Sequence, residues 1–195
     1  LFKKVITVGI NGGEPFLLKD LDIFVKEILT LPKLKSIGII SHGFNTNRSL
    51  RLLKKIYLLC KNKGVSLHLT ISLDGYEKMH DEVRQIPNGF KKTLKTIEEI
   101  NATSNVYCDS LDIACTVVNS NIYNLLELDI FSQIKGFDIK YRLGIDNKRI
   151  ESDKIIKNFS ILFNKGKSTY SKNYNPLKQS AKEFFHYQLS ASNDL

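Results

Sequence analysis

The stretch VGINGGEPFLLKD, residues 8–20, decides the fold. The run that leads into it, with Val5, Ile6, Val8 and Ile10, is apolar and β-branched and reads as a strand. It stops at Gly12, Gly13, Glu14 and Pro15, and a helical pattern follows. Glycines and a proline suit a turn. A turn alone has no need of the Glu14 carboxylate.

Working outward, the same unit recurs. Residues 17–31 read as a helix, with Leu18, Leu21, Phe24, Val25, Ile28 and Leu29 expected on one face. Strands are predicted over 36–41, 65–73, 110–118 and 137–145. Helices are predicted over 49–64, 89–100 and 121–136, with Gly64 and Gly136 closing the first and last. Residues 74–88 read as a loop. The connections are long enough for right-handed crossovers, so the strands form a parallel sheet. Helices would cover it as a doubly wound sheet or as an open or closed barrel. The pattern changes after residue 150. Residues 152–167 and 181–191 read as helices around a polar loop, giving a division at 1–150 and 151–195.

Composition bounds the function. Of the 195 residues, 42% are hydrophobic and 25% charged, which fits a globular domain with its own core. No apolar run approaches the roughly 20 residues of a membrane span, and the first residues read as a strand rather than a signal peptide. A cytoplasmic location is expected. The net charge of +9 comes from lysines spread along helical segments. A solvated helix face accounts for it better than a nucleic-acid surface, since aromatics are not interleaved with the lysines. Cys60, Cys108 and Cys115 are spaced like buried free thiols, not like a metal site. His42, His68 and His80 are not spaced as a metal set either. His68 reads as a core or edge residue and His80 as bonding within its loop.

The polar, glycine-bearing clusters follow the strands. They are Gly12 to Pro15, then Ser41 to Asn45, then Ser72, Asp74 and Gly75, then Thr116, Asn119 and Asn121, then Arg142, Asp146, Asn147 and Arg149. In a parallel α/β protein such positions share one rim, where ligands bind. Glu14 suits an ammonium group, Ser72 a hydroxyl or carboxylate, and Arg84 a carboxylate. Each also has a plainer role: Glu14 as an acid at a helix start, Asp74 as a turn residue, Arg84 in a surface ion pair.

Taken together, NGGEPFLLKDLDIFVKEI, IGIISHGF, LTISLDGYEKMHDEVRQIPNGFKKTLKTIEEI and TVVNSNIYNLLEL resemble the radical S-adenosylmethionine (radical SAM) superfamily over roughly residues 5–145. The joint presence of SLDG, HD-x-VR and GF is most similar to its peptide- and sulfatase-maturing branch. The resemblance implies a partial (β/α)6 TIM-like barrel of parallel strands. It implies that Gly12, Gly13, Glu14 and Pro15 meet the amino group of S-adenosyl-L-methionine. Ser72, Asp74 and Arg84 would bind its carboxylate and ribose side, and Val118 and Leu143 would border the adenine. Ser41 stands in a Ser41–His42–Gly43 sequence where the family has threonine–asparagine–glycine.

The resemblance also implies a [4Fe–4S] cluster held by C-x3-C-x2-C, and no such motif is present. Two readings stay open. In the first, the chain is a fragment that lacks the first βα unit and its cluster loop, as the start at Leu1 suggests. The full-length parent would then generate a 5′-deoxyadenosyl radical and modify a peptide, protein or metabolite, while this chain alone would be inactive. In the second, it is a degenerate, cluster-free module that binds a nucleotide-like ligand or a protein partner.

Overall fold

The computed structural model describes residues 2–103 and 105–144. Five strands form one sheet: β1 Thr7–Ile10, β2 Ser36–Ser41, β3 Ser66–Ser72, β4 Ser110–Val117 and β5 Ile139–Leu143. Their spatial order is β1-β2-β3-β4-β5, and every neighbouring pair is parallel. The expected alternation therefore holds. The consecutive order adds something. Right-handed crossovers between successive neighbours place every connecting helix on one face, whereas a doubly wound sheet reverses its strand order. No reversal occurs among the described strands.

The helices are α1 Leu21–Ile28, α2 Thr46–Asn62, α3 Lys78–Arg84, α4 Gly89–Ala102 and α5 Leu125–Lys135. They bury Leu21 and Val25 of α1, Leu53 and Ile56 of α2, Ile97 of α4 and Leu128 of α5 in one core with the sheet. Each such side chain contributes about 1.5–3 kcal/mol by leaving water. The sheet residues that meet them alternate: Ile37 and Ile39 in β2, Leu67, Leu69 and Ile71 in β3, Ile113, Cys115 and Val117 in β4.

The alternate positions carry the other face, and they are mostly polar. Rows in register run Thr7–Ser36–Ser66, then Gly9–Gly38–His68–Ser110, then Ile40–Thr70–Asp112, then Ser72–Ala114–Lys140, then Thr116–Arg142. Parallel sheets packed by helices on both faces read as continuous apolar strands. Alternation in a parallel sheet marks one helix-covered face and one polar face. Several of these polar groups pair across the strands: Thr7 Oγ1 with Ser36 Oγ at 2.9 Å, His68 Nδ1 with Ser110 Oγ at 2.8 Å, and Lys140 Nζ with Asp112 Oδ1 at 2.8 Å. His68 is thus an exposed member of this face, not a core histidine.

Two local expectations are corrected. The first helix begins at Leu21, after a separate 3-10 turn over Pro15–Leu17. Leu18 and Phe24 do not join its buried face; both are about half exposed. Secondly, α3 lies within the stretch read as a loop. It is one short helix whose only buried residue is His80, so it carries no apolar period to read. Gly64 and Gly136 do follow α2 and α5, both with positive φ.

Candidate functional site

The site lies at the carboxyl ends of the strands and has three linked parts. The first is the turn after β1. Gly12 and Gly13 have φ of 87° and 46°, and a Cβ on either would meet nothing within 4 Å. The backbone conformation, not crowding, requires glycine there. Both residues are exposed, so their main-chain groups face outward. Pro15 opens the 3-10 turn and is buried, and Glu14 caps it.

The Glu14 side chain is only 5% exposed. Its Oε1 accepts from Phe16 N–H at 3.1 Å and from the Ser41 hydroxyl at 2.7 Å. Its Oε2 accepts from His42 N–H at 2.8 Å and lies 3.1 Å from His42 Nε2. His42 Nδ1 accepts from Phe44 N–H at 3.1 Å, so the neutral ring carries its proton on Nε2 and donates it to Glu14. Burial holds His42 below the usual histidine range; the Glu14 charge opposes this and the Arg84 charge reinforces it. Hydrogen bonds from the His42 carbonyl through Thr93 and His80 to the Asp74 N–H link the first part to the second.

The second part is the end of β3. The Asp74 side chain is 2% exposed, and its Oδ2 lies 2.5 Å from both Nε and Nη2 of Arg84. Its Oδ1 accepts from Thr116 N–H, at the end of β4, at 2.7 Å. Burial pushes the Asp74 carboxyl up, against the pull of Arg84 and of the Thr116 N–H. Arg84 spends two of its nitrogens on Asp74 and remains 30% exposed. A guanidinium carries five N–H donors in all, so its remaining edge suits an anion.

The third part is Asn121, which is fully buried. Its Nδ2 donates to the carbonyls of Asp74 and Thr116 at 2.9 and 2.8 Å, and its Oδ1 accepts from Val118 N–H at 2.8 Å. It ties the ends of β3 and β4 together.

Glu14, Ser41, Asp74, Arg84 and Val118 thus come together on one rim with Gly12, Gly13 and Pro15. Ser72 is half-buried at the end of β3, on the polar face. Leu143 ends β5 in register with Val117, but its side chain lies outside the described residues, as do Asp146, Asn147, Arg149 and the whole of 151–195. The plainer roles are also partly real. Glu14 does cap a turn, and Arg84 is in an ion pair, though a largely buried one rather than one on the surface.

Sequence reasoning missed Thr93 and undervalued His80. His80 is fully buried; it does bond within its own stretch, accepting the Asp74 N–H at Nδ1 at 2.9 Å, and its Nε2 also faces Thr93 Oγ1 of α4 at 3.4 Å. Thr93 and Thr96 lie on the buried face of α4 and donate to the carbonyls of His42 and Gly43 at 2.7 and 2.6 Å. Threonines recurring on an otherwise apolar helix face were the available signal.

Among the described residues, Cys60 and Cys108 have no contact with this rim, while Cys115 Sγ accepts from Asn121 Nδ2 at 3.9 Å. All three are free and buried. Burial, helped by the Asp109 charge, pushes Cys60 and Cys108 up to about 11, and burial pushes Cys115 well above its ordinary value. They do not fit thiolate ligands of a cluster, and among the described residues no three His, Cys, Asp or Glu side chains are grouped to hold a metal. Two units of pKa cut the thiolate fraction about a hundredfold. With a chromogenic disulfide at pH 8, the folded chain should react at least about a hundredfold more slowly than the urea-unfolded chain. Fast reaction of any of the three while folded would contradict their placement.

No protein-family model matches the chain. It is similar to the GTP 3′,8-cyclase of Aliarcobacter butzleri (strain RM4018), at 26% identity over 156 residues, which cover 76% of this chain and 45% of that protein. The chain thus spans less than half the length of this curated relative. That weak and partial likeness suggests the radical SAM superfamily and singles out no branch within it.

Proposed function

We propose that the rim binds S-adenosyl-L-methionine, and that the chain is the cofactor-binding part of a radical SAM enzyme. The reading is supported by the position of Glu14, of the exposed Gly12–Gly13 main chain and of the Asp74–Arg84 pair, all at carboxyl ends of strands in one parallel sheet whose open face is polar. A sulfonium nucleoside bears an ammonium, a carboxylate and ribose hydroxyls. The open glycine turn would approach the amino group, the outer edge of Arg84 the carboxylate, and Ser72 a hydroxyl. Val118 and Leu143 would flank the base, as the motif resemblance implies. Asp74 holds Arg84 in place rather than touching the ligand.

Held by the Gly12–Gly13 turn, Arg84 and Ser72 beside a reduced iron–sulfur cluster, this cofactor would supply one-electron chemistry toward a substrate. The described residues do not fit such a cluster, so it would be held by residues outside them. The residues described here bind, orient and desolvate. The (β/α)6 barrel and the peptide- or sulfatase-maturing branch belong to this reading through the motifs alone, and the substrate would be a peptide, protein or metabolite.

A second reading has its own support. Glu14 and Asp74 are both satisfied by donors of this chain, as in a cluster-free module whose rim is structural. Calorimetric titration with S-adenosylmethionine separates the two. Saturable binding, weakened by Ser72→Val in a chain of unchanged fold, supports the first. No binding to a folded chain overturns it in favour of the second. Anaerobic iron and sulfide should give a brown protein only with a longer polypeptide that contains this chain.

A further inference from the structure

The two charged halves of the rim are joined by a continuous path of hydrogen bonds. The Asp74 N–H donates to His80 Nδ1 at 2.9 Å. That fixes the His80 proton on Nε2, which faces Thr93 Oγ1 at 3.4 Å, the longest link. Thr93 in turn donates its own proton to the His42 carbonyl at 2.7 Å. The His42 N–H and ring then hold Glu14 at 2.8 and 3.1 Å. Thr96, one turn further along α4, donates to the next carbonyl, Gly43, and meets Thr46 Oγ1 at 2.8 Å. The loop after β2 is therefore gripped at two successive carbonyls by α4, a helix that enters the sequence about fifty residues later.

We propose that Thr93, together with His80, is a positioning residue that sets the spacing between Glu14 and the Asp74–Arg84 pair, so that both halves of the ligand site move as one body. This rests on reading the rim as a ligand site. Neither residue touches the ligand. Both are fully buried, at 0% exposure. Buried polar groups with complete partners hold one geometry, because any alternative leaves a donor or acceptor unsatisfied. The path has a direction. Thr93 has a single proton and gives it to His42, so it can only accept from His80, and His80 can only accept from Asp74. One tautomer of each imidazole is compatible with the whole.

The test uses the full 195-residue chain with 15N-labelled histidine. In the wild type, both His42 and His80 should show an Nε2–H, Nδ1-acceptor tautomer. Thr93→Val keeps the shape and removes the hydroxyl; it should shift the His42 ring resonances and weaken S-adenosylmethionine binding about tenfold, the equivalent of about 1.4 kcal/mol. Thr93→Ser should restore both. An Nδ1–H tautomer of His80 in the wild type would break the path and overturn the proposal, even if Thr93→Val fails to fold. So would unchanged His42 resonances in a folded Thr93→Val chain, or failure of Thr93→Ser to restore them. If the wild type binds no S-adenosylmethionine, the functional reading falls, and the His42 resonances still decide whether the two halves are coupled.

Discussion

Acidification from about pH 6.5 to about pH 4 should cost the folded chain about 3 kcal/mol through His80 alone. His80 is fully buried, and Asp74 N–H and Thr93 occupy its two ring nitrogens. Burial first, and the Arg84 charge second, lower it to about 4, against a smaller upward pull from Asp81. Its folded pKa lies below its unfolded value. In the window between them the unfolded chain binds a proton that the folded chain refuses, so stability is complete above the unfolded value and drains as pH falls. Below about 4 this group adds no further loss, because both states are protonated. His42, also held low, drains stability in the same direction. Urea unfolding at a series of pH values reads the slope, and His80→Gln should remove most of it. A midpoint that stays flat from pH 6.5 to 4 would refute the buried neutral imidazole.

The second large effect is expected from Arg84→Ala, at about 3–5 kcal/mol of destabilisation at neutral pH. The substitution leaves the Asp74 carboxylate, 2% exposed, with the Thr116 N–H still donating to Oδ1 and no cation at Oδ2. The charge is then buried without its cation. Here the sign of the pH dependence is reversed. Without Arg84, burial raises Asp74 unopposed by its largest counter-charge. A carboxyl whose folded pKa is raised gains stability when protonated, so the penalty should shrink as pH falls toward that raised value. Chemical unfolding of wild type and variant at pH 7 and pH 5 measures this. A loss under about 1 kcal/mol, equal at both pH values, would mean that the pair behaves as an ordinary surface contact. The practical consequence is that Arg84→Ala is a poor probe of ligand binding. Glu14→Gln is little better, since an amide would set an N–H against the donors of Ser41, Phe16 and His42. Ser72, half-buried on the open face, is the cleaner position.

Much of the architecture was legible in the chain itself. β-branched runs such as SIGIIS alternate with helical periods, and that alternation requires a parallel sheet because the crossovers are long. Gly12 and Gly13 marked a turn, and Gly64 and Gly136 marked helix ends; all four adopt positive φ, a conformation that excludes most other residues. The polar strand ends pointed to one rim, because parallel strands share a direction. These inferences are local, or follow from connectivity alone.

Local pattern failed where burial depends on what lies above a residue. Phe24 has the spacing of a core position and stays half exposed, while His80 lies in a polar run and is fully buried. The tertiary structure alone decided which partner each rim residue takes. Glu14 reaches Ser41 and His42 across 27 and 28 residues, Asp74 reaches Thr116 across 42, and Thr93 reaches His42 across 51. Such pairings arise when adjacent strand ends and a helix roof bring donors within 3 Å of buried acceptors. That distance is set by packing, on which sequence separation has no bearing.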